Sequence, residues 1–186
     1  MFHGKCSEIT YKEHYQMKDL PPPHDLIEAM GEAYELLLEK SLQKAHESGA
    51  TVHHMLDEIR GDIVALDKLS DKEAAKLEGY VKRDLIDAAN YLDKTGRELQ
   101  DWLGFDVALL KQEFWQRFSK AADQTTTALY GLKLQAAIAE YHSGELVGLG
   151  TLVCDQCGEK LHFHKPGRIP PCPRCKGGHF HRQTIE

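Results

Sequence analysis

From Leu26 onward, apolar residues recur at steps of three and four: Leu26/Ile27, Met30, Tyr34, Leu37/Leu38, Leu42 and Ala45. That spacing lays one apolar stripe along a helix. Ser48-Gly49 predicts its end, because glycine accepts the left-handed conformation that closes a last turn, and Thr51 predicts the cap of a second helix. The second helix carries Val52, Met55/Leu56, Ile59, Ile63, Leu66 and Leu69 on one face. Ser70-Asp71-Lys72-Glu73 has the spacing of a capping box, in which Ser70 accepts from the third amide and Glu73 reaches back. A long helix should follow, burying Ala74, Leu77, Val81, Leu85, Ala88, Leu92, Leu99 and Trp102/Leu103 before Gly104 interrupts it. Asp106 predicts a cap for a helix with Val107, Leu110, Phe114 and Phe118. A last helical stretch is expected from about Asp123 to Tyr141, with Leu129, Leu132, Ala136 and Ile138/Ala139 inward.

Near-heptad spacing and short connections predict antiparallel helices, packed as a bundle or as a long coiled-coil hairpin. The stripes read as core rather than as a cofactor box, since no convergent polar groups are seen to interrupt them. Gly31, Gly61 and Gly79 fall inside the helices, each costing about 1 kcal/mol against alanine unless it permits a close approach. Residues 1–23 show no clean period and end in Pro21-Pro22-Pro23, a stiff extended stretch. After the helices, the glycines of 141–150 end helical structure and lead into short strands: Glu145–Val147, Thr151–Val153, Lys160–His164 and His179–Arg182. The expected organisation is a tail over 1–23, a helical domain over 24–140, a glycine-patterned joint over 141–150 and a small β zinc ribbon over 151–186. The fold class is mainly α.

Charge divides along the same line. Residues 1–150 hold 17 Lys+Arg against 26 Asp+Glu, a net of −9, whereas 151–186 hold 6 against 3, a net of +3. An acidic body disfavours non-specific binding of duplex DNA or anionic lipid, and the basic end leaves a small contact open. No charged n-region followed by an apolar run opens the chain, and the run Ala128–Ala139 is broken by Lys133 and Gln135. A cytoplasmic location without a membrane span is therefore expected.

Four of the five cysteines form two Cys-x-x-Cys pairs, Cys154/Cys157 and Cys172/Cys175, with fourteen residues between them. Each pair fits one local turn, and two such turns supply the four thiolates that Zn²⁺ takes at about 2.3 Å. A four-thiolate sphere is closed to water and substrate, which points to one structural zinc rather than a catalytic one. Free energies of about 10–16 kcal/mol are typical of such sites, enough to fold a ribbon poor in large aliphatic residues. A redox reading of Cys-x-x-Cys is weaker, since neither motif opens the helix of a βαβ unit. Cys6, in the polar N-terminal stretch, reads as an incidental thiol.

His162, His164, His179 and His181 alternate along two of the strands, beside Phe163, Lys165, Arg168, Phe180 and Arg182. Rings and cations interleaved on a small sheet could stack on bases and meet phosphate. The plainer reading packs Leu161, Phe163 and Phe180 over the metal turns and leaves the histidines in solvent. A mixed Cys/His site is conceivable but unneeded. His53-His54 with Asp57 and Glu58 could hold a second metal, although on an acidic helix they read more simply as a solvated face. Neither a phosphate-binding glycine loop nor a nucleophile elbow is present.

The run Tyr141-His142-Ser143-Gly144-Glu145-Leu146-Val147-Gly148-Leu149-Gly150-Thr151-Leu152-Val153-Cys154, then Cys157 and Cys172-Pro173-Arg174-Cys175, resembles a bacterial family of zinc ribbon-containing proteins of unknown function, the YbeL type. The resemblance implies a cytoplasmic protein with zinc at the four cysteines, and no catalytic residues. It also makes 141–150 a candidate for fixing the ribbon's orientation on the helices, against the alternative that Gly148 and Gly150 merely satisfy turns. Taken together, the expectation is a non-enzymatic adaptor binding a protein partner, with homo-oligomers possible. The alternatives are a nucleic-acid- or transcription-associated ribbon, contacting through Lys160, Arg168 and Arg182, and a thiol-redox sensor that releases zinc on oxidation.

Overall fold

A computed structural model describes residues 23–65, 69–132 and 140–183. The helices are α1 (Pro23–Ser48), α2 (Val52–Ala65), α3 (Asp71–Thr95), the short α4 (Leu99–Leu103) and α5 (Gln112–Leu132), with a 3-10 turn at Val107–Leu109 between α4 and α5. Helix α1 packs on α2, α2 on α3, α3 on α5, and α5 back on α1, closing a four-helix bundle. The apolar stripes meet at its centre: Tyr34, Leu37, Leu38, Leu56, Leu77, Val81, Leu85, Leu103 and Phe118 are all buried.

The local signals act as expected at several ends. Gly49, at φ 70°, closes α1 by donating to Ala45 O at 2.9 Å, and Thr51 Oγ1 accepts from the His54 amide. Both halves of the Ser70/Glu73 capping box are formed. Pro23 is the first helical residue of α1, a position where its missing N–H costs nothing.

Elsewhere the boundaries differ. The long helix expected from Ser70 to Leu103 stops at Thr95, where Gly96 turns left-handed and donates back to Leu92 O; Leu99, Trp102 and Leu103 are buried by the separate helix α4. Asp106 caps only the 3-10 turn, through Ala108 N, and the α5 helix starts at Gln112 and runs straight through Asp123. Two expected helices are thus one. Tyr141 belongs to a strand. Leu69 is buried but lies beyond α2. Cys6, and the side chains of Ile63, Leu66, Leu129 and Leu132, lie outside the described residues.

The described residues of the C-terminal part form six strands: β1 (Tyr141–His142), β2 (Leu146–Val147), β3 (Gly150–Cys154), β4 (Lys160–Phe163), β5 (Gly167–Arg168) and β6 (His179–Arg182). An antiparallel four-stranded sheet has the order β1-β6-β3-β4, and β2 pairs with β5. Strands β1 and β5 are additional to those expected. Tyr141, Val147, Leu152, Ile169 and Phe180 form a small core around the buried sulfurs, with Leu161 and Phe163 against it. Leu146 and Leu149 face the other way and enter the core of the helical bundle. No described helix is long and apolar enough to cross a membrane.

Candidate metal centre

Cys154 ends β3 and Cys157 lies in the turn that leads to β4; Cys172 and Cys175 occupy a second turn before β6. The two turns repeat one geometry. Gly158 N donates to Cys154 O and Lys176 N to Cys172 O, each at 2.9 Å, and both closing residues are left-handed, at φ 72° and 63°. Backbone bonds across the turns, from Cys154 N to Glu159 O and from Cys172 N to Gly177 O, fix the base of each.

The four sulfurs lie within 4.8 Å of one another, with Cys154 and Cys175 at 3.5 Å and Cys157 and Cys172 at 3.6 Å. Four thiolates about 2.3 Å from one ion would stand about 3.8 Å apart in a tetrahedron. These separations are within a few tenths of that value and far beyond a disulfide's roughly 2.05 Å. The set fits one structural zinc ion.

Backbone amides are already aimed at the sulfurs. The Cys175 amide, against the opposing effect of burial and with help from the Arg174 amide, holds the Cys172 thiol down at about 7. Gly177 N donates to Cys175 Sγ at 3.4 Å. Cys157, in spite of the Glu159 amide, is pushed up to about 12 by burial and by the thiols around it. Four thiols this close resist full ionisation by themselves, and a dication removes that crowding.

The ribbon is held on the bundle by a buried ionic cluster. Arg182, at the end of β6 and 5% exposed, donates from Nη1 to Leu149 O at 2.7 Å and from Nε to Tyr141 Oη at 3.1 Å. It lies 3.5 Å from Asp84 and 3.4 Å from Asp87, both on α3, and its guanidinium covers the Trp102 ring at 4.4 Å. Arg83 lies over the Tyr141 ring at 4.0 Å, pairs with Glu145 at 2.5 Å and donates to Leu146 O. Asp84 accepts from Tyr34 Oη of α1 at 3.0 Å and from Gly148 N at 2.6 Å. Three carboxylates, Asp84, Asp87 and Glu145, face the two guanidiniums, and each charged group is also hydrogen-bonded or stacked, which is what charges withdrawn from water require.

Titration follows this geometry. Burial, and then the Asp84 charge, raise the Tyr34 phenol well above its usual value, so it stays a donor. Burial likewise raises Tyr141, opposed by Arg182. Burial pushes the Asp87 carboxyl up, against Arg182 and the Trp102 donor. Burial works against the charge on Arg182, but Tyr141, Asp84 and Asp87 outweigh it and hold the guanidinium protonated.

This cluster settles two expectations. Arg182 is enclosed, so it leaves the set of cations offered to nucleic acid. Polar groups do converge within the apolar stripes, contrary to the sequence reading: Tyr34 and Asp84 meet between α1 and α3. The i,i+3 carboxylates Asp84 and Asp87 gave a weak signal. A firmer one was available in β6, because alternation places Arg182 on the inward face with Phe180.

Among the described residues no histidine joins the sulfurs, and the four cysteines are the group of three or more donors that converge. His162 Nδ1 is 2.9 Å from Thr151 Oγ1, His164 packs on Phe105, and His181 pairs with Asp155 at 2.5 Å. His54 contacts Glu58, which Lys44 holds at 2.9 Å; the His53 and Asp57 side chains lie outside the described residues.

A family model described as "Zinc-ribbon containing domain" matches residues 39–184. The chain is also similar to uncharacterized proteins YbeL of Escherichia coli strain K12 and of strain O157:H7, at 26% identity over 159 residues, which cover 82% of this chain and 95% of each relative. No solved structure matches the chain.

Proposed function

The chain belongs to the zinc-ribbon containing domain family, and from that premise we propose that it is a non-enzymatic interaction protein whose zinc builds a docking surface. The observation that carries this reading is a groove of about 870 Å³ between α1, the start of α5 and the chain from β4 to β5. Phe114 and Phe163 line it, and Leu109 stands on its rim with 60% of its surface exposed, the one large apolar side chain so exposed among the described residues. Glu32 and Glu35 mark one wall, Lys111 and Lys165 the others. One wall is helix and the other is ribbon, so the shape of the groove depends on the packing of ribbon on bundle. An apolar anchor flanked by charge on a protein partner matches this lining, as recessed apolar pockets with charged rims do in known interfaces.

Capture from a native extract tests the reading by comparing the wild-type chain with Leu109→Glu, both zinc-loaded. A partner held by the wild type should be lost by the variant. A partner held equally by both would overturn the assignment of the groove.

Exposed Lys160 and Lys165 support a second reading, in which the ribbon contacts nucleic acid. It requires RNA or DNA binding that falls steeply with salt and is weakened by Lys160→Ala and Lys165→Ala. Absence of binding at low salt would remove it.

A further inference from the structure

We propose that His142 and His179 form a second metal site, which takes a divalent transition-metal ion of the imidazole-preferring class (Zn²⁺, Ni²⁺ or Cu²⁺) at the ribbon surface. The two residues are directly opposite each other on β1 and β6. Ser143 N donates to Gly178 O at the next position, so His142 and His179 occupy the non-hydrogen-bonded register, where opposed side chains are closest. Their ring centroids are 4.9 Å apart at 77°, with His179 exposed and His142 partly so.

The pair is also oriented. Glu145 Oε1 is 3.4 Å from His142 Nδ1, and Glu145 Oε2 accepts from the His142 backbone amide at 3.2 Å. The carboxylate lies on the Nδ1 side of the ring, so Nε2 is the nitrogen not taken up by Glu145. A carboxylate on the far side of the ring from the metal is the partner that metal-bound histidines usually have. Glu145 is itself anchored by Arg83, whose guanidinium is stacked on Tyr141 and bonded to Leu146 O. The orientation of the His142 ring is thus tied to the buried cluster. Imidazole suits Zn²⁺, Ni²⁺ and Cu²⁺. Two protein donors leave the remaining positions to water, so this site is open and exchangeable where the four-thiolate site is closed.

Ni²⁺ is the probe, added to the full-length zinc-loaded chain at neutral pH and followed by calorimetry. One Ni²⁺ should bind beyond the zinc. His142→Ala and His179→Ala should each abolish that binding with zinc content unchanged, Glu145→Gln should weaken it by about tenfold or more, and His181→Ala should leave it intact. Ni²⁺-induced broadening of the wild-type imidazole proton signals gives a reading that depends on no variant's folding; His142 and His179 should broaden first. No Ni²⁺ uptake, uptake unchanged in either alanine variant, or first broadening at other histidines would overturn the site.

Discussion

The amide of Gly148 donates to Asp84 Oδ2 across 2.6 Å, and a Cβ at Gly148 would stand 2.6 Å from Tyr34 Oη and 3.1 Å from that same carboxylate oxygen. The glycine is therefore a point of close approach between the ribbon and two helices, not merely a turn residue. Gly148→Ala must push Tyr34 and Asp84 apart inside a packed, charged site, and overpacking of this kind costs about 1–3 kcal/mol. Gly79 is the control: it lies in α3, and a Cβ there would meet nothing within 4 Å, so Gly79→Ala should gain about 0.5–1 kcal/mol from helix propensity. Urea unfolding of the zinc-loaded proteins measures both, and similar values for the two variants would refute the distinction.

Arg182 carries a second prediction. Arg182→Leu leaves the buried Asp84 and the partly buried Asp87 with one guanidinium fewer, and removing one partner of a buried charge pair typically costs about 3–5 kcal/mol. Lys160→Ala, on the open face of the same sheet, should change stability by about 0.5 kcal/mol or less. Because Arg182 covers Trp102, the variant should also shift Trp emission in the native state. Unaltered emission with wild-type stability would show that the cluster does not hold the ribbon.

The helical stripes and the cysteine set were legible in the sequence because each depends on local spacing: Met30, Tyr34, Leu37 and Leu38 share a face through the 3.6-residue period, and two Cys-x-x-Cys turns define their own geometry. The helix ends that were missed turned on competition between weak signals. Gly96 closed a helix whose apolar pattern continues to Leu103, and Asp106 looked like the start of a full helix but caps only three residues. The ionic cluster was not legible for another reason. Its members, Tyr34, Asp84, Tyr141, Gly148 and Arg182, are brought together only by the packing of ribbon on bundle, and no local period records such a meeting. Gly150 was visible as a turn residue; that its φ of 114° also leaves room for Arg182, 2.5 Å from where a Cβ would be, was not.

Lys176 takes the position that Gly158 takes in the other metal turn, and it does so at φ 63°, a left-handed conformation that costs a side-chain-bearing residue about 1–2 kcal/mol. Lys176→Gly relieves that strain, while the freer unfolded chain takes back about 0.5–1 kcal/mol. The expected result is a modest net gain, read as slower zinc loss to a chelator and a small rise in the unfolding midpoint. Cys172→Ser should instead abolish stoichiometric zinc binding. Faster zinc loss from Lys176→Gly would mean that its ammonium, 3.4 Å from Pro173 O, matters more than the backbone strain.

The capping box of α3 predicts a pH dependence. Glu73 accepts from Ser70 Oγ at 2.7 Å and from Ser70 N at 2.9 Å, and these bonds, the side-chain one first, lower its carboxyl below the usual value of 4.5. A carboxylate lowered by folding contributes stability that is fully present above its unfolded value and is lost as pH falls through its folded value. Wild type should therefore exceed Glu73→Gln in stability by a constant amount above about pH 5, with the difference shrinking as pH drops below about 4.5. Zinc loss in acid affects both proteins and cancels in the difference. Ser70→Ala removes the cap itself and should cost about 1 kcal/mol at neutral pH. Parallel unfolding curves from pH 6 to pH 3 for wild type and Glu73→Gln, with a gap that does not change, would show that the Glu73 carboxylate is not stabilised by the cap.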